Sequence, residues 1–149
     1  MQVKDIMTKD VISVFENTEV KNIAEILTKE RIHGVPVIDK DRKVIGIVTE
    51  TNFFSRVDGD LYLSKFVKTV QENKLPDTGL LKNKNKISAN TTAGEIMTKN
   101  CVTVSPELEL EKLFEVFRKK GFHSIPVANG EGTLEGIITL ADIIAFSAK

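Results

Sequence analysis

With a single cysteine in 149 residues, the chain has no internal disulfide to close, and any thiol chemistry would rest on one side chain. Tryptophan is absent, and the two histidines have no nearby cluster of Cys, Asp or Glu, so they fall short of a closed metal-ligand set. There is no net charge either: 21 basic residues balance 21 acidic ones, which leaves no overall field to gather DNA or an acidic membrane. No apolar run approaches the roughly eighteen residues of a membrane span, and no charged-then-apolar leader opens the sequence. A complete, cytoplasmic protein is the expectation. Missing too are a Gly-x-Ser-x-Gly elbow, a Walker loop and a dinucleotide fingerprint, so no nucleophile or acid–base pair stands out and an enzyme is not expected. What remains, at 41% hydrophobic and 28% charged residues, suits an ordinary soluble globule.

What the chain does have is self-similarity. Ile6-Met7-Thr8-Lys9 returns as Ile96-Met97-Thr98-Lys99, an offset of 90 residues. The offset then holds without a gap: His33-Gly34-Val35-Pro36-Val37 falls on His123-Ser124-Ile125-Pro126-Val127, and Gly46-Ile47-Val48-Thr49 on Gly136-Ile137-Ile138-Thr139.

Within each repeat the hydrophobic period changes. Residues 11–14 and 101–104 are short β-branched-rich runs that read as strands. Val20, Ile23, Ala24 and Leu27, matched by Leu110, Leu113, Phe114 and Phe117, recur at helical spacing as one apolar stripe. Ser105 and Pro106 suit the cap and first position of the second of these helices, and Gly121 its close. Residues 35–38 and 44–48 read as a strand pair across a polar turn, and Asn129-Gly130 marks the same turn in repeat 2. A short helix follows each pair. The class is therefore α+β (α/β), with β-α-β-β-α twice over in repeats 1–56 and 91–149 whose sheets are expected to share one core. Between them, residues 57–90 form a linker in which Leu61, Leu63, Phe66, Val67 and Val70 suggest one helix and the remainder a polar loop.

These residues resemble the paired cystathionine β-synthase (CBS) domains, or Bateman module. The resemblance is carried by Asp5-Ile6-Met7-Thr8 and Gly94-Glu95-Ile96-Met97-Thr98, by the two His-x-x-Pro-Val strands, and by the two Gly-Ile-(Val/Ile)-Thr segments. It implies two repeats packed as a pseudo-twofold pair. It also implies a regulatory module that binds AMP, ADP, ATP or an adenosyl ligand such as S-adenosylmethionine between them, often as a homodimer.

The family's ribose pattern, Gly-h-h-(Ser/Thr)-x-x-Asp with h apolar, is complete in repeat 2 as the segment from Gly136 to Asp142. A carboxylate accepts two hydroxyl protons at once, and a helix start beside it suits phosphate. The plainer reading of Thr139 and Asp142 is a helix cap. In repeat 1 the aspartate is replaced by Asn52, so the charge-assisted bonds are lost and the two clefts are expected to be unequal. The resemblance implies a principal cleft formed by Thr8, Ile12, Ile32, His33, Gly34 and Pro36 with Ile137, Thr139, Ala141 and Asp142, where Ile12 and Ile137 sandwich the adenine. The weaker cleft would use Ile47, Thr49 and Asn52 with Thr98, Val102, Phe122, His123, Ser124 and Pro126. The two histidines either contact phosphate or simply pack at a strand start. Cys101 reads as a small core residue, and Lys82, Lys84 and Lys86 as a solvated loop.

The competing class is a ligand-free dimerisation scaffold in which the motifs survive as caps and core. Asn52 favours the scaffold, Thr139 and Asp142 favour binding. Expected partners are a small-molecule nucleotide, a second copy and an effector protein reached in trans. A homodimer is expected from the apolar surplus at Phe53, Phe54, Ile143, Ile144 and Phe146.

Overall fold

A computed structural model describes residues 1–53 and 90–148, so the expected linker helix lies outside the described residues. The element order is a 3₁₀ turn Val3–Asp5, β1 (Val14–Phe15), α1 (Val20–Lys29), β2 (Gly34–Ile38), β3 (Val44–Thr49) and a 3₁₀ turn Glu50–Phe53. Repeat 2 continues with α2 (Ala93–Ile96), β4 (Thr98–Lys99), α3 (Leu110–Lys120), β5 (Ser124–Ala128), β6 (Leu134–Thr139) and α4 (Leu140–Ser147).

The hairpins β2–β3 and β5–β6 form as the alternation of turn and β-branched residues requires. Each turn is tied by its first side chain: Asp39 Oδ1 accepts from the N–H groups of Asp41 and Lys43, and Asn129 Oδ1 from those of Glu131 and Thr133. The left-handed position in that turn is Gly132 in repeat 2 but Arg42, at φ 65°, in repeat 1.

The pseudo-twofold relation is visible in the bridges, which come in pairs at the same offset. Gln2 bridges Glu109 as Glu19 bridges Thr92, and Thr8 bridges Ile137 as Thr98 pairs with Ile47. On the axis itself Lys43 bridges its own counterpart Thr133. Each repeat therefore lends its leading segment to the other. β4 joins the sheet of repeat 1, giving the order β1-β2-β3-β4, while Thr8 takes the equivalent edge beside β6.

The exchange also reshapes the core. One shared core was expected, but there are two apolar clusters, each completed by the other repeat. Ala93, Ile96 and Met97 pack with α1 and the β2–β3 hairpin, and Val3, Ile6 and Met7 with α3 and β5–β6. Fully burying side chains of this size contributes about 1.5–3 kcal/mol each, so the segments are bound firmly into cores that are not their own.

Two expectations for α3 differ. The helix starts at Leu110 rather than Pro106, because the carbonyls of Pro106 and Leu108 accept from Lys4 and Val3 of the exchanged segment instead of from helical N–H groups. Phe114, where repeat 1 has the buried Ala24, is 37% exposed and so stands at the edge of the stripe, not within it. Gly121 closes the helix in the left-handed region, at φ 66°, as expected.

The runs 11–14 and 101–104 form less strand than expected. β1 pairs with β2 only at Val14 and Phe15, and repeat 2 keeps a single parallel bridge, Val104 to Val127. Val104 donates to the Pro126 carbonyl and accepts from Ala128, so the next rung would need an N–H on Pro126, which proline lacks. The residues before the bridge are released from the sheet.

The glycines of the Gly-Ile-x-Thr segments are fixed by this exchange. A Cβ on Gly136 would stand 2.6 Å from Met7 Sδ and 2.8 Å from the Thr8 carbonyl oxygen, and one on Gly46 would stand 2.7 and 2.8 Å from Met97 Sδ and the Thr98 carbonyl. The methionine tip can bend away; the bridged carbonyl cannot. Gly136→Ala and Gly46→Ala are expected to lose about 1–3 kcal/mol of stability in urea unfolding through overpacking. Gly130→Ala, with nothing within 4 Å, is expected to change it by less than about 0.5 kcal/mol.

Candidate functional site

The released segments become cleft walls. Ile12 and Val102, counterparts in the two repeats, are 37% and 39% exposed, so each leaves an apolar face open to solvent where its strand departs from the sheet.

Behind Val102 lies a cavity of about 560 Å³ between the repeats. Repeat 1 contributes Ile47 and Thr49, and repeat 2 Thr98, Val102, Phe122, His123, Ser124 and Pro126, all expected of the weaker cleft. Pro126 has a double part, lining the cavity and ending the ladder that would have closed it. Asn52 belongs to that expected set but is not a lining residue. Its amide is spent on structure: Oδ1 accepts from the Thr49 N–H at 2.7 Å and the Thr49 hydroxyl at 3.1 Å, while Nδ2 donates to the Ile96 carbonyl at 2.8 Å and Thr98 Oγ1 at 3.3 Å. It ties the exchanged segment of repeat 2 to the helix start of repeat 1.

Asp142 occupies the matching place with different chemistry. Its Oδ2 accepts from the Thr139 N–H at 2.9 Å and its own N–H donates to Thr139 Oγ1 at 3.1 Å, so the reciprocal cap is formed. Its Oδ1 meets only the Thr8 hydroxyl, at a long 3.5 Å. Capping uses one carboxylate oxygen and leaves acceptor capacity on the other. Thr8 is fixed by mutual backbone bonds with Ile137, both 2.9 Å, and Ala141 is exposed on the first turn of α4. Thr8, Ile137, Thr139 and Asp142 are thus brought together, with the open face of Ile12 following in the chain. Ile32 packs against the core of repeat 1, and Gly34 and Pro36 are buried in β2.

His33 has a place that the sequence did not assign to it. Placed with the Asp142 group by the sequence, it lines the cavity of the other cleft, and its Nδ1 contacts the Glu50 carboxylate. Glu50, Thr51, Asn100, Cys101, Gly121 and Ile125 also line that cavity, none of them assigned to a cleft from the sequence. Glu50 and Thr51 fill the two unspecified places of the Thr-x-x-Asn motif, so a pattern that leaves them free is silent about them. Asn100, at φ 51°, turns the chain into the wall. Cys101 is a wall residue rather than a core one, and burial pushes its thiol up from the ordinary range, against a smaller lowering by a backbone hydrogen bond. Ser124 Oγ is buried with no hydrogen-bond partner, and β2 approaches so closely that a Cβ on Gly34 would stand 3.2 Å from it. Among the described residues no three His, Cys, Asp or Glu side chains converge as a metal site, and no helix is long and apolar enough to cross a membrane.

Twin repeats, exchanged leading segments and a cleft between matched motifs define a tandem-repeat module. The chain belongs to the CBS domain family, whose model matches residues 3–59 and 93–149. It is 27% identical, over 97% of its length and 89% of that protein, to the uncharacterized protein MJ1426 of Methanocaldococcus jannaschii. It is 30% identical to an inosine-5′-monophosphate dehydrogenase of Aquifex aeolicus over 89% of this chain, but spans only 22% of that enzyme. Among solved structures, CBSX2 in complex with AMP matches with a TM-score of 0.72 at 21% identity, covering 99% of this chain and 96% of that one. The CBS domain pair of MJ0100 in complex with 5′-methylthioadenosine and S-adenosylmethionine matches with a TM-score of 0.70 at 24% identity, over 99% and 96%. At these identities the structural likeness establishes the fold.

The amide geometry gives a counter-intuitive expectation for Asn52→Asp, which restores the family's ribose pattern. The variant removes both donors and sets a carboxylate oxygen against the Ile96 carbonyl, so it is expected to lose about 1–3 kcal/mol of stability, measured by urea unfolding at pH 7.

Proposed function

We propose that this chain is a ligand-sensing regulatory module that binds an adenine nucleotide or adenosyl ligand between its repeats and acts in trans on a partner protein. The observation that carries the reading is the Asp142 carboxylate, an acceptor with spare capacity at a helix start, beside Thr8 of the opposite repeat. A ribose diol supplies the donors that this oxygen lacks. The exposed faces of Ile12 and Val102 suit a flat base. AMP in CBSX2 and the adenosyl ligands of MJ0100 support the same ligand class.

The nucleotide reading predicts a difference between variants that stability alone does not reveal. A saturating ligand adds RT ln(1 + [L]/Kd), about 2.7 kcal/mol at a hundred times Kd. That increment, measured as the thermal shift over each variant's own ligand-free form with AMP or ATP, is expected nearly to vanish in Asp142→Ala and largely to persist in Asn52→Ala. Equal responses in both would reduce Asp142 to a cap.

A homodimer belongs to the same proposal, on narrower ground than the sequence offered. Phe53 is buried, and Ile143 and Phe146 pack against the second core cluster, so the described surplus reduces to Ile144, 66% exposed on α4; Phe54 lies outside the described residues. Light scattering at micromolar concentration is expected to give twice the 16.6 kDa chain mass, and a result of 16.6 kDa would refute the dimer.

A further inference from the structure

The described wall of the cavity beside Asn52 carries the Glu50 carboxylate in contact with His33, and no lysine or arginine. The position equivalent to Glu50 in repeat 2 is Leu140, so the charge belongs to this cleft and is not a feature of the repeat.

His33 adds no surplus of positive charge to meet a polyanion. A carboxylate is acceptor-only, so the Nδ1 that meets Glu50 is the protonated nitrogen of the ring. In the neutral imidazole this leaves Nε2 as a lone pair, an acceptor turned away from the role of phosphate donor. In the imidazolium the positive charge is cancelled by its own partner. Either way the Glu50–His33 pair offers no net positive charge to a polyanion. Glu50 also sits in the first turn of the short 3₁₀ segment, whose starting N–H groups on Thr49 and Glu50 are already bonded to Asn52 Oδ1 and the His33 carbonyl.

We infer that the cleft beside Asn52 selects neutral or cationic adenosyl compounds, such as thionucleosides and sulfonium nucleosides, and that Glu50 rejects nucleoside polyphosphates there. This inference rests on the adenosyl reading and deepens it, dividing the two clefts by ligand charge. A ligand with donors and a positive centre complements what the wall supplies: the Glu50 carboxylate and, in the neutral ring, the acceptor edge of His33. The apolar part of the wall, Ile47, Val102 and Phe122, suits a base in either case, so discrimination falls to the polar end. Glu50 is half exposed, which keeps the discrimination modest and dependent on salt.

Cys101 supplies a reporter for this cleft alone, being the single cysteine of the chain and part of the cavity wall. The test is the rate of iodoacetamide alkylation of the protein at low salt and a fixed alkaline pH, because burial pushes the Cys101 thiol up and keeps the reactive thiolate a minor form at lower pH. The protein is titrated separately with S-adenosylmethionine, 5′-methylthioadenosine, AMP and ATP. S-adenosylmethionine is expected to protect at concentrations about tenfold lower than ATP, the scale of one partly screened charge acting on ligands of opposite sign. In Glu50→Gln that ratio is expected to contract about fivefold while protection by the uncharged 5′-methylthioadenosine moves less than about twofold, which separates a charge effect from a change of shape. Thr51→Lys, adding a cation to the same wall, is expected to shift preference toward ATP with Glu50 intact. Protection by ATP at concentrations equal to or below those of S-adenosylmethionine, or a ratio unmoved by both variants, would overturn the charge selection while leaving the adenosyl reading standing. Absence of protection by all four compounds would overturn both for this cleft.

Discussion

Everything in this molecule depends on backbone meeting backbone at two glycines. Thr8 exchanges both main-chain hydrogen bonds with Ile137, and Met7 crosses so close to Gly136 that no side chain fits between; Met97, Thr98, Gly46 and Ile47 repeat the arrangement. Because each crossing brings a segment of one repeat into the core of the other, neither repeat can complete its apolar cluster alone. Two units of about fifty residues, each too small to bury much surface, become one cooperative body by trading their leading segments. The same crossing sets the helix starts of one repeat against the threonines of the other, which is why any site built there is shared.

The clefts follow from a second constraint, the missing N–H of a proline. Pro126 accepts from Val104 but has nothing to donate to the residue two places earlier, so the parallel ladder stops and 101–103 peel away from the sheet. Pro36 stands at the same position beside β1. A longer ladder would fill the space with sheet. Instead Ile12 and Val102 face outward with apolar surface that the fold leaves uncovered, and the helix starts supply polar groups at the other end of each cleft.

The two clefts then diverge through one atom of difference. Asn52 has donors as well as an acceptor, spending the acceptor on Thr49 of its own helix start and the donors on the exchanged segment, whereas Asp142 has only acceptors and keeps one in reserve. The sequence ranked the pair by charge and so by expected affinity; the geometry adds that the asparagine is a tie between repeats. Motif repetition was enough to read both hairpins and the two long helix stripes, because period and turn chemistry are local, while the cleft residues rested on the family resemblance. It was silent where contacts are made across the chain. The late start of α3 reflects carbonyls taken by Val3 and Lys4, the second core reflects segment exchange, and the pairing of His33 with Glu50 joins a strand start to a motif position that the family pattern leaves free. None of these has a signature in spacing alone.

A ligand held between the repeats has to touch both of them at once, and that is the central claim. Methyl chemical-shift mapping of the isoleucines during titration with AMP measures it directly. The account predicts saturable shifts at Ile12 and Ile137 together, one from each repeat, with little change at the buried Ile23 or the outward Ile144. Shifts confined to a single repeat, or to Ile144 on the outer face of α4, would contradict it.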